Sequence, residues 1–132
     1  MKINERWTKE QVKLWEKVRD AILAEPEAYE QSNPYYEIIF KEKGKPNCDS
    51  PVCILGWVSY FTKRRAAHRL SDKKNAEIFL GLTGKESEYI FFHDGCMWKE
   101  SFSKRFRKAK TPKGRARIAA SYINDILKTG EV

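Results

Sequence analysis

Four helix-start signatures punctuate this chain and leave little of it for anything but helices. Thr8 with Gln11 three residues on, and Thr83 with Glu86, are capping boxes. Ser50-Pro51 and Thr111-Pro112 each place a hydroxyl cap before a proline at the first helical position, where the missing N–H costs nothing. The first box predicts a helix from about Lys9 to Ala24 that buries Val12, Leu14, Trp15, Val18 and Ile22, with Trp7 placed to staple against Val12. Pro26 ends or restarts it, leaving room for one further turn that carries Tyr29.

After Ser50 the run Val52, Cys53, Ile54, Leu55, Trp57, Val58, Tyr60, Phe61 is apolar nearly all round, the pattern of a helix enclosed by its neighbours. Lys63 to Leu70 is expected to continue it as a basic extension, and Ser71 or Asp72 to cap a short helix that Gly81 stops. The second capping box opens a helix carrying Tyr89, Ile90, Phe91 and Phe92 up to the His93-Asp94-Gly95 turn. A basic helix of two turns follows from about Ser103, and a last one runs from Thr111-Pro112 to about Lys128 with Gly130 as its stop. In that last helix Ile118, Ala119, Tyr122, Ile123, Ile126 and Leu127 form one stripe, leaving Lys113, Arg117, Ser121, Asn124 and Lys128 outside. The chain therefore reads as all-α: a compact single domain over 1–132, of five or six helices around a central apolar helix at about 51–62. At most one short extended segment, near 36–40, accompanies them.

Size and composition agree. The 132 residues suit one domain and exclude a two-domain enzyme. An aromatic content of 13% is too high for a disordered polybasic chain. The first residues lack a signal-peptide pattern and no run approaches the roughly 18 apolar residues of a membrane span, so a cytoplasmic protein without membrane contact is expected.

The formal charge of +8 is concentrated rather than spread. Residues 99–117 hold nine basic residues against Glu100 alone, a net of +8, so the other 113 residues sum to zero. A second block at 63–74, with Arg64, Arg65 and Arg69 among its six cations, is offset by acids elsewhere. Soluble surfaces usually intersperse the signs, so such a block marks a binding face. On a helix Lys104, Arg107 and Lys108 share one side with Arg105 beside them, while Phe102 and Phe106 anchor the opposite side. The N-terminus of the last helix follows at once, bringing its free N–H groups beside Lys110, Lys113 and Arg115, an arrangement suited to anions. The expected anion-binding set is Lys104, Arg105, Arg107, Lys108, Lys110, Lys113, Arg115 and Arg117, extended by Arg64, Arg65 and Arg69.

The cysteines offer two other chemistries. Cys48, Cys53, His93 and Cys96 form two close pairs of ligand-type residues that a structural zinc ion could use, although Cys53 also fits as a small buried hydrophobe. Alternatively Cys53, in the first turn of a helix, could be a nucleophile with His68 or His93 as base and Asp94 or Asp49 as orienter. No glycine-rich oxyanion loop, Walker loop or HExxH motif accompanies either reading. The expectation is accordingly no catalytic residue and no cofactor.

The run from Cys48 to Trp57, then Phe79-Leu80-Gly81-Leu82-Thr83, Phe91-Phe92, Trp98 and Thr111-Pro112, resembles a group of small uncharacterised proteins common in bacteriophages and bacterial mobile elements. Members of that group show a C-x4-C-[IV]-x-G-[WH] helix, an "LGL" junction, an aromatic pair with a nearby Trp, and a last helix after Thr-Pro. The match spans roughly residues 45–130. It implies a small all-helical fold and a phage-related setting, and no catalytic residues. The expected function is binding by a monomer or homodimer, foremost to nucleic-acid phosphates through the face at 99–117. The alternatives are an anti-defence inhibitor using that face on a host nuclease, ribonucleoprotein or nucleotide messenger, and thirdly a cysteine-dependent hydrolase.

Overall fold

A computed structural model describes residues 1–31, 53–62, 69–91, 95 and 97–132. Six α-helices appear among them: α1 (Lys9–Ala24), α2 (Ile54–Thr62), α3 (Arg69–Leu80), α4 (Gly84–Phe91), α5 (Glu100–Lys108) and α6 (Pro112–Thr129), with a 3-10 turn at Pro26–Ala28. The fold is all-α, as the helix-start signatures require. The segment near 36–40 and the Ser50-Pro51 start lie outside the described residues.

Three of the four predicted starts can be checked, and each is made by the residues the sequence marks. Thr8 Oγ1 accepts from the Gln11 amide at 3.2 Å while the Thr8 amide donates to Gln11 Oε1 at 3.0 Å. Thr83 and Glu86 do the same at 3.2 and 2.9 Å. Thr111 accepts from the Gly114 amide at 3.0 Å, with Pro112 first in the helix. Three boundaries shift. Arg69 and Leu70 are already helical in α3, ahead of the expected cap at Ser71 or Asp72, while the expected basic extension over 63–68 lies outside the described residues; Cys53 precedes α2 as the residue whose carbonyl accepts the first helical bond, from Trp57 at 3.2 Å. The basic helix begins at Glu100, three residues ahead of Ser103, because the Lys99 carbonyl accepts from both Phe102 and Ser103 at 2.9 Å.

Every residue of α2 from Ile54 to Ser59 is buried, as an all-round apolar helix must be. It shares the centre with α1, which packs against α6, α2, α3 and the 3-10 turn and contributes the fully buried Trp15, Val18 and Ile22. Trp7 joins them edge-on to Trp15, with centroids 5.9 Å apart, and its indole N–H donates to the Ile126 carbonyl at 2.9 Å. On α6 the buried stripe is Ala116, Ala119, Ala120, Tyr122, Ile123, Ile126 and Leu127, with Ile118 half-buried at its edge. Inside, Tyr29 donates to Gln31 at 2.9 Å, and Gln31 donates to the Ile90 carbonyl at 2.7 Å, so a buried amide bridges the 3-10 turn to the end of α4. Burial pushes the Tyr29 phenol well above its ordinary pKa, which keeps it a neutral donor.

The N-terminal residues close the bundle. The Asn4 amide donates to the Leu127 carbonyl at 2.8 Å and its side chain to the Thr129 carbonyl at 3.1 Å, satisfying acceptors that the end of α6 leaves open. Gly130 ends α6 with φ +71, and a Cβ there would lie 2.6 Å from Asn4 Oδ1, so only glycine fits both the turn and its neighbour. The Arg6 guanidinium donates to Glu86 Oε2 and the Gly130 carbonyl at 2.7 Å and to the Gly81 carbonyl at 2.9 Å, and it lies 4.4 Å from the Trp7 ring centroid.

The Arg6 bond and charge outweigh partial burial and hold the Glu86 carboxyl below its usual 4.5. A depressed carboxylate stabilises the fold fully above the usual value and loses that contribution as pH falls through the lowered one. Glu86→Gln is therefore expected to cost about 2 kcal/mol at neutral pH, and the gap to the parent to shrink under acid. Urea denaturation of both proteins across pH checks this; a gap that persists unchanged in acid would contradict it.

Candidate anion-binding face

The basic stretch is held by an aromatic cluster behind it. Phe106 lies edge-on to Trp98 at 4.8 Å and to Tyr29 at 6.2 Å, and Phe102 packs on Tyr122 at 5.1 Å, with Trp98 and Tyr122 themselves 4.9 Å apart. Gly95 has φ +87, and a Cβ there would meet Phe106 Cδ1 at 2.9 Å, so the chain passes directly over the ring. With one side of α5 fixed in this way, Lys104, Arg105, Arg107 and Lys108 face outward, as the sequence pattern predicts.

The nine cations of 99–117 are not equivalent. Lys99 is ion-paired to Asp125 on α6 and donates to Thr129 at 3.3 Å, which ties the start of α5 to the last turn of its neighbour. Arg115 is half-buried and donates to the Ala109 carbonyl at 3.3 Å, supplying a partner where the backbone leaves α5. Arg105 lies 4.8 Å from the Phe102 ring centroid and leans on the Ser101 carbonyl at 3.4 Å. Lys104 pairs with Glu100 at 3.1 Å, a contact exposed to water on both sides. Arg107, Lys108, Lys110, Lys113 and Arg117 are exposed and make no ion pair among the described residues. The face thus narrows to five cations, with Lys104 and Arg105 at its edge.

The start of α6 is less of an anion cup than the Thr-Pro signature implies. Pro112 has no N–H, the Gly114 amide is taken by Thr111 Oγ1, and the Arg115 amide donates to the Thr111 carbonyl at 3.0 Å. That leaves the Lys113 amide. Anion binding here falls to side chains.

Electrostatics differ sharply between the two helix ends that meet at Ala109–Thr111. Arg105, Arg107 and Lys108 occupy the last turn of α5, where cations complement the helix dipole. The first turn of α6 holds no acidic residue, and Lys113 stands there against the positive end of its own helix.

The second basic block does not join this face in the described residues. Arg64 and Arg65 lie outside them. Arg69 opens α3, which packs on α1, α2 and α4 and touches neither α5 nor α6. Lys73 of the same block is engaged internally, 2.7 Å from Glu77. Despite the burial that opposes it, Glu77 is held below its usual carboxylate range by Lys73 and the Ser87 hydroxyl. Of the proposed zinc ligands, Cys48, His93 and Cys96 fall outside the described residues, as do His68, Asp49 and Asp94 of the alternative nucleophilic set. Cys53 is buried with 0% exposure, and no group of three metal-ligating side chains occurs among the described residues. No helix among them is long and apolar enough to cross a membrane.

Arg115, which sequence reading assigned to the face, turns inward and is in helical register with the buried Ala119, Tyr122 and Ile126. Comparison with known proteins found no matching family model, curated protein or solved structure.

Two substitutions separate the structural cation from the strained one. Arg115→Ala is expected to lower stability by about 1 kcal/mol by removing a bond to a helix-end carbonyl. Lys113→Glu is expected to raise it by about 0.5 kcal/mol by reversing an unfavourable charge at the start of α6. Urea titration of the two variants reads both signs.

Proposed function

We propose that this protein acts by binding, and that its ligand is nucleic-acid phosphate held by Arg107, Lys108, Lys110, Lys113 and Arg117, with Lys104 and Arg105 assisting. The observation that carries the reading is the presence of five exposed cations, without an ion pair among the described residues, where α5 ends and α6 begins. Crowding like charges, one of them against a helix dipole, disfavours folding and is relieved by a bound polyanion. A cationic face merely for solubility would not require Lys113 at that position.

The phage-type motifs set the context: a small accessory protein, monomeric or homodimeric, working in the host cytoplasm. A binding role is also supported over a thiol nucleophile by the burial of Cys53, whose sulfur has no exposed surface from which to reach a substrate. No cofactor or metal enters the proposal. An inhibitor of a host nuclease or nucleotide messenger would use the same cations, and a pull-down from lysate with and without nuclease treatment distinguishes it, since only a nucleic-acid partner is lost to the nuclease.

Five phosphate contacts predict affinity falling roughly 10² to 10³-fold between about 50 and 200 mM salt. Arg107→Glu combined with Lys108→Glu is expected to abolish binding while leaving the helical circular-dichroism signal intact. Salt-insensitive binding, or binding unaffected by the double substitution, would refute the assignment.

A further inference from the structure

Resting on that phosphate-binding reading, we propose that the face recognises the backbone of a nucleic-acid duplex, without sequence preference, rather than a single strand or a small phosphorylated ligand. Three observations point this way.

The first is the fate of the aromatic side chains. Proteins that hold single strands stack bases on exposed rings. Here Phe102, Phe106, Trp98 and Tyr122 are turned onto one another behind the face, at 4.8 to 5.1 Å. Phe102, the most accessible of the four, lies beneath the Arg105 guanidinium.

The second is the chemistry of what is exposed. Between residues 100 and 121 the exposed side chains are Lys, Arg, Ser and Thr, together with Glu100. No Asn or Gln stands among them to read adenine in two-point fashion, four of the seven exposed cations are lysines, which meet phosphate as point charges, and the cations come in rows. Lys104 and Lys108 on α5, and Lys113 and Arg117 on α6, are each four residues apart, about 6 Å along a helix. Rows of point charges suit a duplex, which presents one negative charge about every 1.7 Å of its axis.

The third is the missing cup. A free phosphate or nucleotide needs several convergent donors to be held. The amides at the start of α6 are taken by Thr111 or absent at Pro112, leaving one, and of the long side chains near it Arg115 is turned to the Ala109 carbonyl while Lys110, Lys113 and Arg117 make no ion pair among the described residues. Cations on mobile stems bind weakly one at a time and tightly only when a polyanion engages several together.

The test is fluorescence anisotropy on the intact chain with labelled probes of about 20 base pairs, namely two duplex DNAs of unrelated sequence, one duplex RNA and the separated strands, alongside a labelled mononucleotide. The expected result is similar affinity for the two duplex sequences, and single strands weaker by roughly tenfold at about 100 mM salt. The slope of log affinity against log salt should be about −4.5, losing about 0.9 with each of Lys110→Ser and Arg117→Ser. Binding by either duplex type carries the proposal, and the RNA arm tells the two sources apart. Single strands bound as tightly as duplex, or a large preference between the two sequences, would overturn duplex-backbone recognition while leaving phosphate binding intact. So would tighter binding of a mononucleotide than of any polymer. Failure of every nucleic-acid probe to bind would overturn both.

Discussion

The Arg6 guanidinium is the interaction on which the rest of this bundle depends. It reaches the carboxylate of the α4 capping box, the carbonyl that ends α3 and the carbonyl that ends α6, while lying against the ring that precedes α1. Four helices thus meet at one planar cation, whose fork of donors matches a carboxylate and two backbone acceptors at once. With Asn4 and Trp7 contributing bonds to Leu127, Thr129 and Ile126, the chain's first residues add to the cap that Gly130 gives α6 through its own bond to the Ile126 carbonyl. α6 then packs against α1 and α5, so the placement of the cationic face is inherited from a contact at the opposite end of the same helix.

Much of the fold was legible because its determinants are local. A capping box needs only four residues, and the Thr8, Thr83 and Thr111 starts stand where those residues place them. The stripe on α6 likewise follows from helical spacing. What could not be read was which charges have partners. Arg6 and Glu86 are eighty residues apart, and neither residue's neighbours in sequence announce the pair. The candidate face was legible as a block but not as a set. Lys73, Lys99 and Arg115 are each turned to an internal acceptor, which charge counting passes over.

This sorting gives the +8 of the whole chain a physical division of labour. Cations with an internal partner close helix ends and bridge elements, where low exposure makes each bond count. Those without an ion pair among the described residues crowd together at the α5–α6 corner and oppose folding slightly, through mutual repulsion and through Lys113's position on the dipole. Stability and binding therefore make opposite demands on neighbouring residues of one short stretch, and the aromatic cluster behind α5 is what allows the strained half to be tolerated.

That cluster has a consequence for how such a surface can change over time. Because Trp98, Phe102, Phe106 and Tyr122 fix the orientation of α5 from within, and Gly95 leaves space for the ring that does so, the outward positions carry almost no responsibility for the fold. Their charges can be exchanged, deleted or inverted one at a time with the backbone held in place. The molecule resembles a fixed plate with a replaceable inscription, in which a lineage under pressure from a changing partner could rewrite what is recognised without having to solve the folding problem again.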